Sequence, residues 1–312
     1  MNLLFLLIGL ALLILGAETV VRGSVSLGKK LNVSLFAIGI VIVAGGTSLP
    51  ELASSINAVV NNHSDLAVGA VIGSNIANLI LIMAATSFLT PINNINQNQI
   101  NQAWMNIALA IMIIIMSLFV LSFNLLFGVF AITTLIFIMF FQVKKGIIEV
   151  SNFDEKVESL SQGNYSIILS IILIILGILF LVFGSDLFVE SAVNIANQFN
   201  ISEAIIGISL VAFGTSLPEL AIGILAAIRK NVDFALGNIL GSNIYNILGV
   251  LGISSFFGNF TIPNIIGSQD VYFMLFVTVM ILAFMFFLKR IGRAYGSLGL
   301  ILYFSYIFYI YN

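Results

Sequence analysis

Gly46-Thr47-Ser48-Leu49-Pro50-Glu51-Leu52-Ala53 recurs without change as Gly214-Thr215-Ser216-Leu217-Pro218-Glu219-Leu220-Ala221, at an offset of 168 residues. Each copy lies near the centre of a long apolar run, where it places a helix breaker next to a carboxylate. The proline has no N–H to donate to the carbonyl four residues earlier, Gly46 or Gly214, and its ring crowds that turn. A charge at the middle of a bilayer costs at least ~2.5 kcal/mol even on lenient insertion scales, so Glu51 and Glu219 point to function. No Lys or Arg lies between 31 and 143 or between 157 and 228 to pair with either one.

The offset holds well beyond the octapeptide. Gly16 meets Gly184, Asn32 meets Asn200, Gly39 meets Gly207, Asp65 meets Asp233, Gly69 meets Gly237, and Gly73-Ser74-Asn75-Ile76 meets Gly241-Ser242-Asn243-Ile244. The chain is 60% hydrophobic and 8% charged, too apolar to cover a water-soluble globule. About 20 apolar residues cross a bilayer, and ten such stretches are expected, near 2–27, 34–60, 66–89, 102–122, 125–143, 165–195, 202–228, 234–257, 270–288 and 294–311. The first is read as a retained helix, because Met1-Asn2 supplies no basic region and no small-residue cleavage site follows. The fold class expected is an all-α polytopic membrane protein of ten transmembrane helices. An odd five per half makes the second repeat enter the membrane in the opposite direction, an arrangement of transporters with binding sites at the repeat interface. The halves are 1–143 and 165–312, joined by a mixed-charge linker, 144–164.

With alternate loops on alternate sides, all eleven basic residues fall on one face: Arg22, Lys29 and Lys30; Lys144, Lys145 and Lys156; Arg229 and Lys230; Lys289, Arg290 and Arg293. By the positive-inside rule that face is cytoplasmic and both termini are outside.

Two carboxylates facing each other from antiparallel helices, ringed by hydroxyls and freed carbonyls, make a hard-oxygen site. Ca²⁺ takes about 6 to 8 oxygens, and two bidentate glutamates with two main-chain carbonyls reach the lower figure. Zinc or copper chemistry is disfavoured, since the chain has no cysteine and only His63, in a loop. The glycines of Gly69-x-x-x-Gly73 and Gly237-x-x-x-Gly241 serve either close helix packing or a hinge. Glu18, Asp186, Glu190, Glu203 and Asp270 are expected as solvated charges near helix ends.

The motif pair Gly-Thr-Ser-x-Pro-Glu and Gly-Ser-x-x-x-Asn, present in both halves, resembles that of the sodium/calcium exchangers of the cation/calcium antiporter superfamily. The second element is completed by Asn78 and Asn246. The resemblance implies a cell-membrane, multi-pass antiporter with Ca²⁺ and Na⁺ as substrates and four cation positions in a diamond. It implies a central Ca²⁺ position on the carboxylates of Glu51 and Glu219 and the carbonyls of Thr47 and Thr215. One flanking Na⁺ position would use Ala212, Ser216 and Ser74, the other Ala44, Ser48 and Ser242, with Asn78 and Asn246 closing the middle. It implies more than two Na⁺ per Ca²⁺, hence net charge movement, and relative sliding of spans 1 and 6. The K⁺-dependent branch carries aspartate where this chain has Asn246, so K⁺ co-transport is not expected. Gly45 stands opposite Phe213 in the repeat, without an evident reason.

Other classes fit less well. An intramembrane serine protease needs Gly-x-Ser-x-Gly and a histidine in the membrane, and both are missing. A Ca²⁺/H⁺ antiporter on the same fold is the nearest alternative, and a cation channel a more distant one. No enzyme activity, cofactor, nucleic acid or obligate protein partner is expected.

Overall fold

The computed structural model describes residues 2–151, 165–198 and 212–311. The expected linker therefore falls largely outside the described residues, as does the first part of the seventh expected span, including Glu203. The helices are α1 (Asn2–Leu31), α2 (Leu35–Thr47), α3 (Leu49–Val60), α4 (Ser64–Leu89), α5 (Gln97–Leu118), α6 (Leu125–Ser151) and α7 (Ile167–Gln198). They continue as α8 (Ala212–Thr215), α9 (Leu217–Ile228), α10 (Val232–Ser254), α11 (Asn264–Ser268), α12 (Asp270–Phe287) and α13 (Arg293–Tyr311). Among the described residues seven helices, α1, α4, α5, α6, α7, α10 and α12, are long and apolar enough to cross a bilayer. The pair α2 and α3, bent by 41° at its break, forms an eighth candidate span.

Burial sorts these helices into layers. The apolar windows of α10 and α4 are 94% and 78% buried, those of α6 and α7 only 28%, so α4 and α10 form the centre and α6 and α7 the rim. Rim side chains such as Leu126, Phe137, Ile168 and Phe183 are exposed. An outer surface of that kind belongs against lipid tails.

Two boundaries differ from expectation for a physical reason. Helix α5 begins at Gln97 rather than 102, because Asn96 and Gln99 form a reciprocal capping box. Its polar first turns are absorbed by neighbouring helices. Gln99 Nε2 donates to Asp233 Oδ1 at 2.9 Å, and Asn106 Nδ2 donates to the Leu240 carbonyl at 3.3 Å. Helix α6 runs on to Ser151, past the expected edge of the linker.

Glycines set how α1 meets α7. A Cβ at Gly9 would lie 2.9 Å from the Gly184 carbonyl, one at Gly16 2.8 Å from the Gly177 carbonyl, and one at Gly23 2.8 Å from the Ser170 carbonyl. These pairings are antiparallel and recur every seven residues, so the two helices touch backbone to backbone along their length.

The loops gather at two ends. At one, β1 (Ile92–Asn93) pairs antiparallel with β2 (Arg290–Ile291), Ser34 N–H donates to the Gly146 carbonyl at 3.1 Å, and the Thr90 hydroxyl donates to the Ala227 carbonyl at 2.8 Å. At the other, Phe123 and Phe260 exchange main-chain hydrogen bonds. Lys29, Lys30, Lys144, Lys145, Arg229, Lys230, Lys289 and Arg290 all belong to the first end or to the helix turns entering it.

Candidate cation site

The helix breaks fall two residues before the prolines. Ser48 leaves helical geometry at φ −81°, ψ 6°, and Ser216 does so at φ −91°, ψ 2°. Pro50 and Pro218 then sit in the first turn of α3 and α9, where a missing N–H costs nothing. That corrects the reading of each proline as an interior breaker. The Ala44 carbonyl accepts the Ser48 N–H at 3.1 Å and the Thr47 hydroxyl at 3.4 Å.

Glu51 and Glu219 occupy the first turns of α3 and α9, at the positive ends of those helices. Their exposures are 2% and 1%, and they are close enough for their charges to interact. Ser74 lies beside Glu51 and Thr47 beside Glu219. Both carboxylate oxygens of Glu51, and Oε2 of Glu219, are buried without a hydrogen-bond partner. Among the described residues no third His, Cys, Asp or Glu joins them. Three of the four carboxylate oxygens are left without a hydrogen-bond partner, with the hydroxyls of Ser74 and Thr47 close by. A hard cation satisfies that arrangement.

The structure brings Glu51, Glu219, Thr47, Ser74, Ser216 and Asn246 together. Ser74 Oγ and Ser216 Oγ are 3.3 Å apart, and Asn246 Nδ2 donates to Ser74 Oγ at 3.1 Å. Ser48 Oγ and Ser242 Oγ are buried and unpartnered, as are Oδ1 of Asn78 and of Asn246. Ala44 packs against Gly241, next to Ser242. Thr215 is half-buried at the end of α8. Ala212 opens α8, and its side chain lies outside the described set.

Glycine placement answers two questions left by the sequence. Cβ atoms at Gly237 and Gly241 would strike the Phe36 carbonyl at 2.2 Å and Ile40 Cα at 2.8 Å, so these glycines let α10 press against α2. Gly45 makes room for Tyr245, whose ring would come within 2.9 Å of a Cβ there. Of the charges expected to be solvated, Glu18 instead lies within α1 and pairs with Arg22 at 2.6 Å and with Arg229 through both of its oxygens. Asp270 accepts the Tyr306 hydroxyl at 2.8 Å.

Several site-supporting residues escaped the sequence reading. Helices α2, α4 and α10 contain π-helical turns at Gly39–Val43, Asn78–Ile82 and Tyr245–Val250, and the last two carry Asn78 and Asn246. Such turns are rare, concentrate at functional sites and leave a carbonyl short of its helical donor. Tyrosines supply the donor. Tyr245 donates to the Val41 carbonyl at 2.8 Å and Tyr295 to the Leu79 carbonyl at 2.7 Å. Ser185 similarly caps the Gly214 carbonyl at 2.6 Å, at the second helix break.

These features define a multi-pass membrane protein with a pair of buried carboxylates between its helices. The family described as sodium/calcium exchanger protein matches residues 1–144 and 169–312. The chain is 34% identical over 303 residues to an uncharacterized membrane protein of Methanocaldococcus jannaschii, covering 96% of this chain and 94% of the relative. It is 29% identical over 358 residues to the sodium/calcium exchanger MaX1 of Methanosarcina acetivorans, covering 99% of each. A solved structure of the sodium-calcium exchanger NCX_Mj superposes with a TM-score of 0.85 at 31% identity, covering 98% of this chain and 97% of that one. The chain belongs to the sodium/calcium exchanger family, a family of transporters rather than enzymes.

Proposed function

We propose that this protein exchanges Na⁺ for Ca²⁺ across the cell membrane by alternating access, at the site formed by Glu51 and Glu219. The observation that carries the reading is the pair of buried carboxylates, with three of their four oxygens unpartnered, Ser74 beside Glu51 and Thr47 beside Glu219. Empty, the pair is a dianion in a low-dielectric interior, and moving the site across the membrane in that form is costly; one Ca²⁺, or several Na⁺, neutralises it. Exchange follows, because the loaded forms cross and the empty form does not. The main-chain carbonyls of Thr47 and Thr215 complete the central position, and Ala44 and Ala212 contribute to the flanking ones. Asn78 and Asn246 close the middle with amide oxygens, and the neutral Asn246 argues against K⁺ co-transport.

The architecture in this reading is two inverted five-helix repeats, 1–143 and 165–312, with 144–164 as a cytoplasmic linker and both termini outside. The gathering of the basic loops at one end supports that orientation. Helices α1 and α7 slide together across the rest, their backbone contact making them one unit. Movement of more than two Na⁺ per Ca²⁺ is electrogenic, and each uncompensated charge is worth about 2.3 kcal/mol per 100 mV. An inside-negative potential then drives Ca²⁺ out.

The test is Ca²⁺ flux in proteoliposomes with Na⁺, K⁺ and pH gradients imposed separately, with and without a clamped potential. Flux driven by Na⁺ alone and steepened by voltage is expected. Flux driven by protons alone transfers the chain to the Ca²⁺/H⁺ antiporters, and downhill Ca²⁺ flux uncoupled from any counter-ion transfers it to the channels.

A further inference from the structure

Asn75 and Asn243 sit between the serines and asparagines of the site, and no role was assigned to them by the motif. Both are buried, and they reach across the repeat interface. Asn75 Nδ2 faces the Asn243 main-chain carbonyl at 3.5 Å, and Asn243 Nδ2 donates to the Asn75 main-chain carbonyl at 3.3 Å. A main-chain carbonyl only accepts, so each contact dictates which way the amide is turned. The amide oxygens then face the opposite way, where they receive the site asparagines. Asn246 Nδ2 donates to Asn75 Oδ1 at 3.1 Å, and Asn78 Nδ2 donates to Asn243 Oδ1 at 2.9 Å. The quartet is its own image under the 168-residue offset. At the end of each chain of contacts stands a buried Oδ1, on Asn78 and on Asn246, that no protein group satisfies.

We propose that Asn75 and Asn243 are positioning residues that hold the Asn246 and Asn78 amides oxygen-inward, making both neutral oxygen ligands of the transported cation. This rests on the reading that Glu51 and Glu219 hold that cation. An amide turned the other way presents NH₂, a partial positive charge, to the ion, whereas the unsatisfied Oδ1 of Asn78 and of Asn246 presents an acceptor. The same contacts govern specificity. Aspartate at 246 has no N–H for Asn75 Oδ1 and places oxygen against oxygen, so Asn75 keeps position 246 neutral and the charge of the site at two carboxylates.

The experiment measures apparent KM and maximal rate for Ca²⁺ in proteoliposomes of the full chain, together with the Ca²⁺-induced rise in thermal stability in detergent. Asn75→Ala and Asn243→Ala are each expected to raise KM about tenfold, equivalent to about 1.4 kcal/mol, with maximal rate within about threefold of wild type. Asn75→Ser serves where the alanine variant fails to fold. In a double-mutant cycle, Asn75→Ala added to Asn246→Ala is expected to change KM less than about twofold, because Asn75 acts through Asn246. Wild-type KM in the single variants, a fall in stability with no change in KM, or additive effects in the cycle overturns the proposal. Absence of any Ca²⁺ response in the wild-type protein overturns instead the cation-site reading on which it rests.

Discussion

Replacing Glu51 with glutamine isolates the charge of the site, since the side chain keeps its size and one oxygen acceptor. Glu51 is 2% exposed, both of its oxygens lack a protein partner, and α2 through α5 and α8 through α12 contain no Lys or Arg. A Ca²⁺ ion bound there loses half of its counter-charge. One unit charge at about 4 Å in an effective dielectric of about 20 is worth about 4 kcal/mol, and a divalent ion feels roughly twice that. Relief of the buried carboxylate's own desolvation offsets part, so about 4 kcal/mol is a reasonable net loss, or roughly a thousandfold in affinity. Stability of the empty protein should hold or rise, because an uncompensated buried charge has been removed. The assay pairs Na⁺-driven Ca²⁺ uptake in proteoliposomes with thermal unfolding of the ion-free protein in detergent. Uptake near background with an unchanged or higher melting temperature is expected for Glu51→Gln and for Glu219→Gln. Uptake within a few-fold of wild type in either variant would refute the assignment of the site.

Three further outcomes follow from the packing. Tyr295→Phe leaves the Leu79 carbonyl of the α4 π-turn without its 2.7 Å donor, and a loss of about 1–3 kcal/mol, read as a lower melting temperature, is expected. Gly16→Ala drives a methyl to within 2.8 Å of the Gly177 carbonyl and 2.9 Å of Leu181 N. Overpacking of that kind costs about 1–3 kcal/mol, and slower transport with near-normal Ca²⁺ binding is the result to look for. Arg229→Gln breaks the contact of the residue capping the C-terminus of α9 with Glu18 on α1, leaving the Glu18–Arg22 pair within α1 intact. If the contact favours one position of the α1–α7 pair by about 1.4 kcal/mol, accessibility labelling should show a tenfold shift between inward- and outward-open populations.

Much of the protein is legible along the chain because its signals are local or periodic. Apolar length marks the membrane helices, and the mean content of charge excludes a soluble fold. The duplicated octapeptide singles out Glu51 and Glu219 through the cost of burying an unpaired carboxylate, a cost that any apolar surroundings impose. The same repeat flagged Asn75 and Asn243 as matched positions without saying what they do. Three-dimensional packing decided that, since an amide's orientation depends on which carbonyl of another helix lies opposite its nitrogen. Packing also decided that Gly237 and Gly241 admit α2, that Gly45 yields to Tyr245, and that Glu18 is an ion-paired residue within α1. No propensity marks the π-turns at Asn78–Ile82 and Tyr245–Val250, because the extra residue in such a turn is held by a hydroxyl from a distant helix or by helix packing. The sequence by itself therefore determined the lipid environment, the repeat and the identity of the two acids; the tertiary structure alone decided which amides, hydroxyls and carbonyls remain unsatisfied around them, since satisfaction is a property of pairs that meet only on folding.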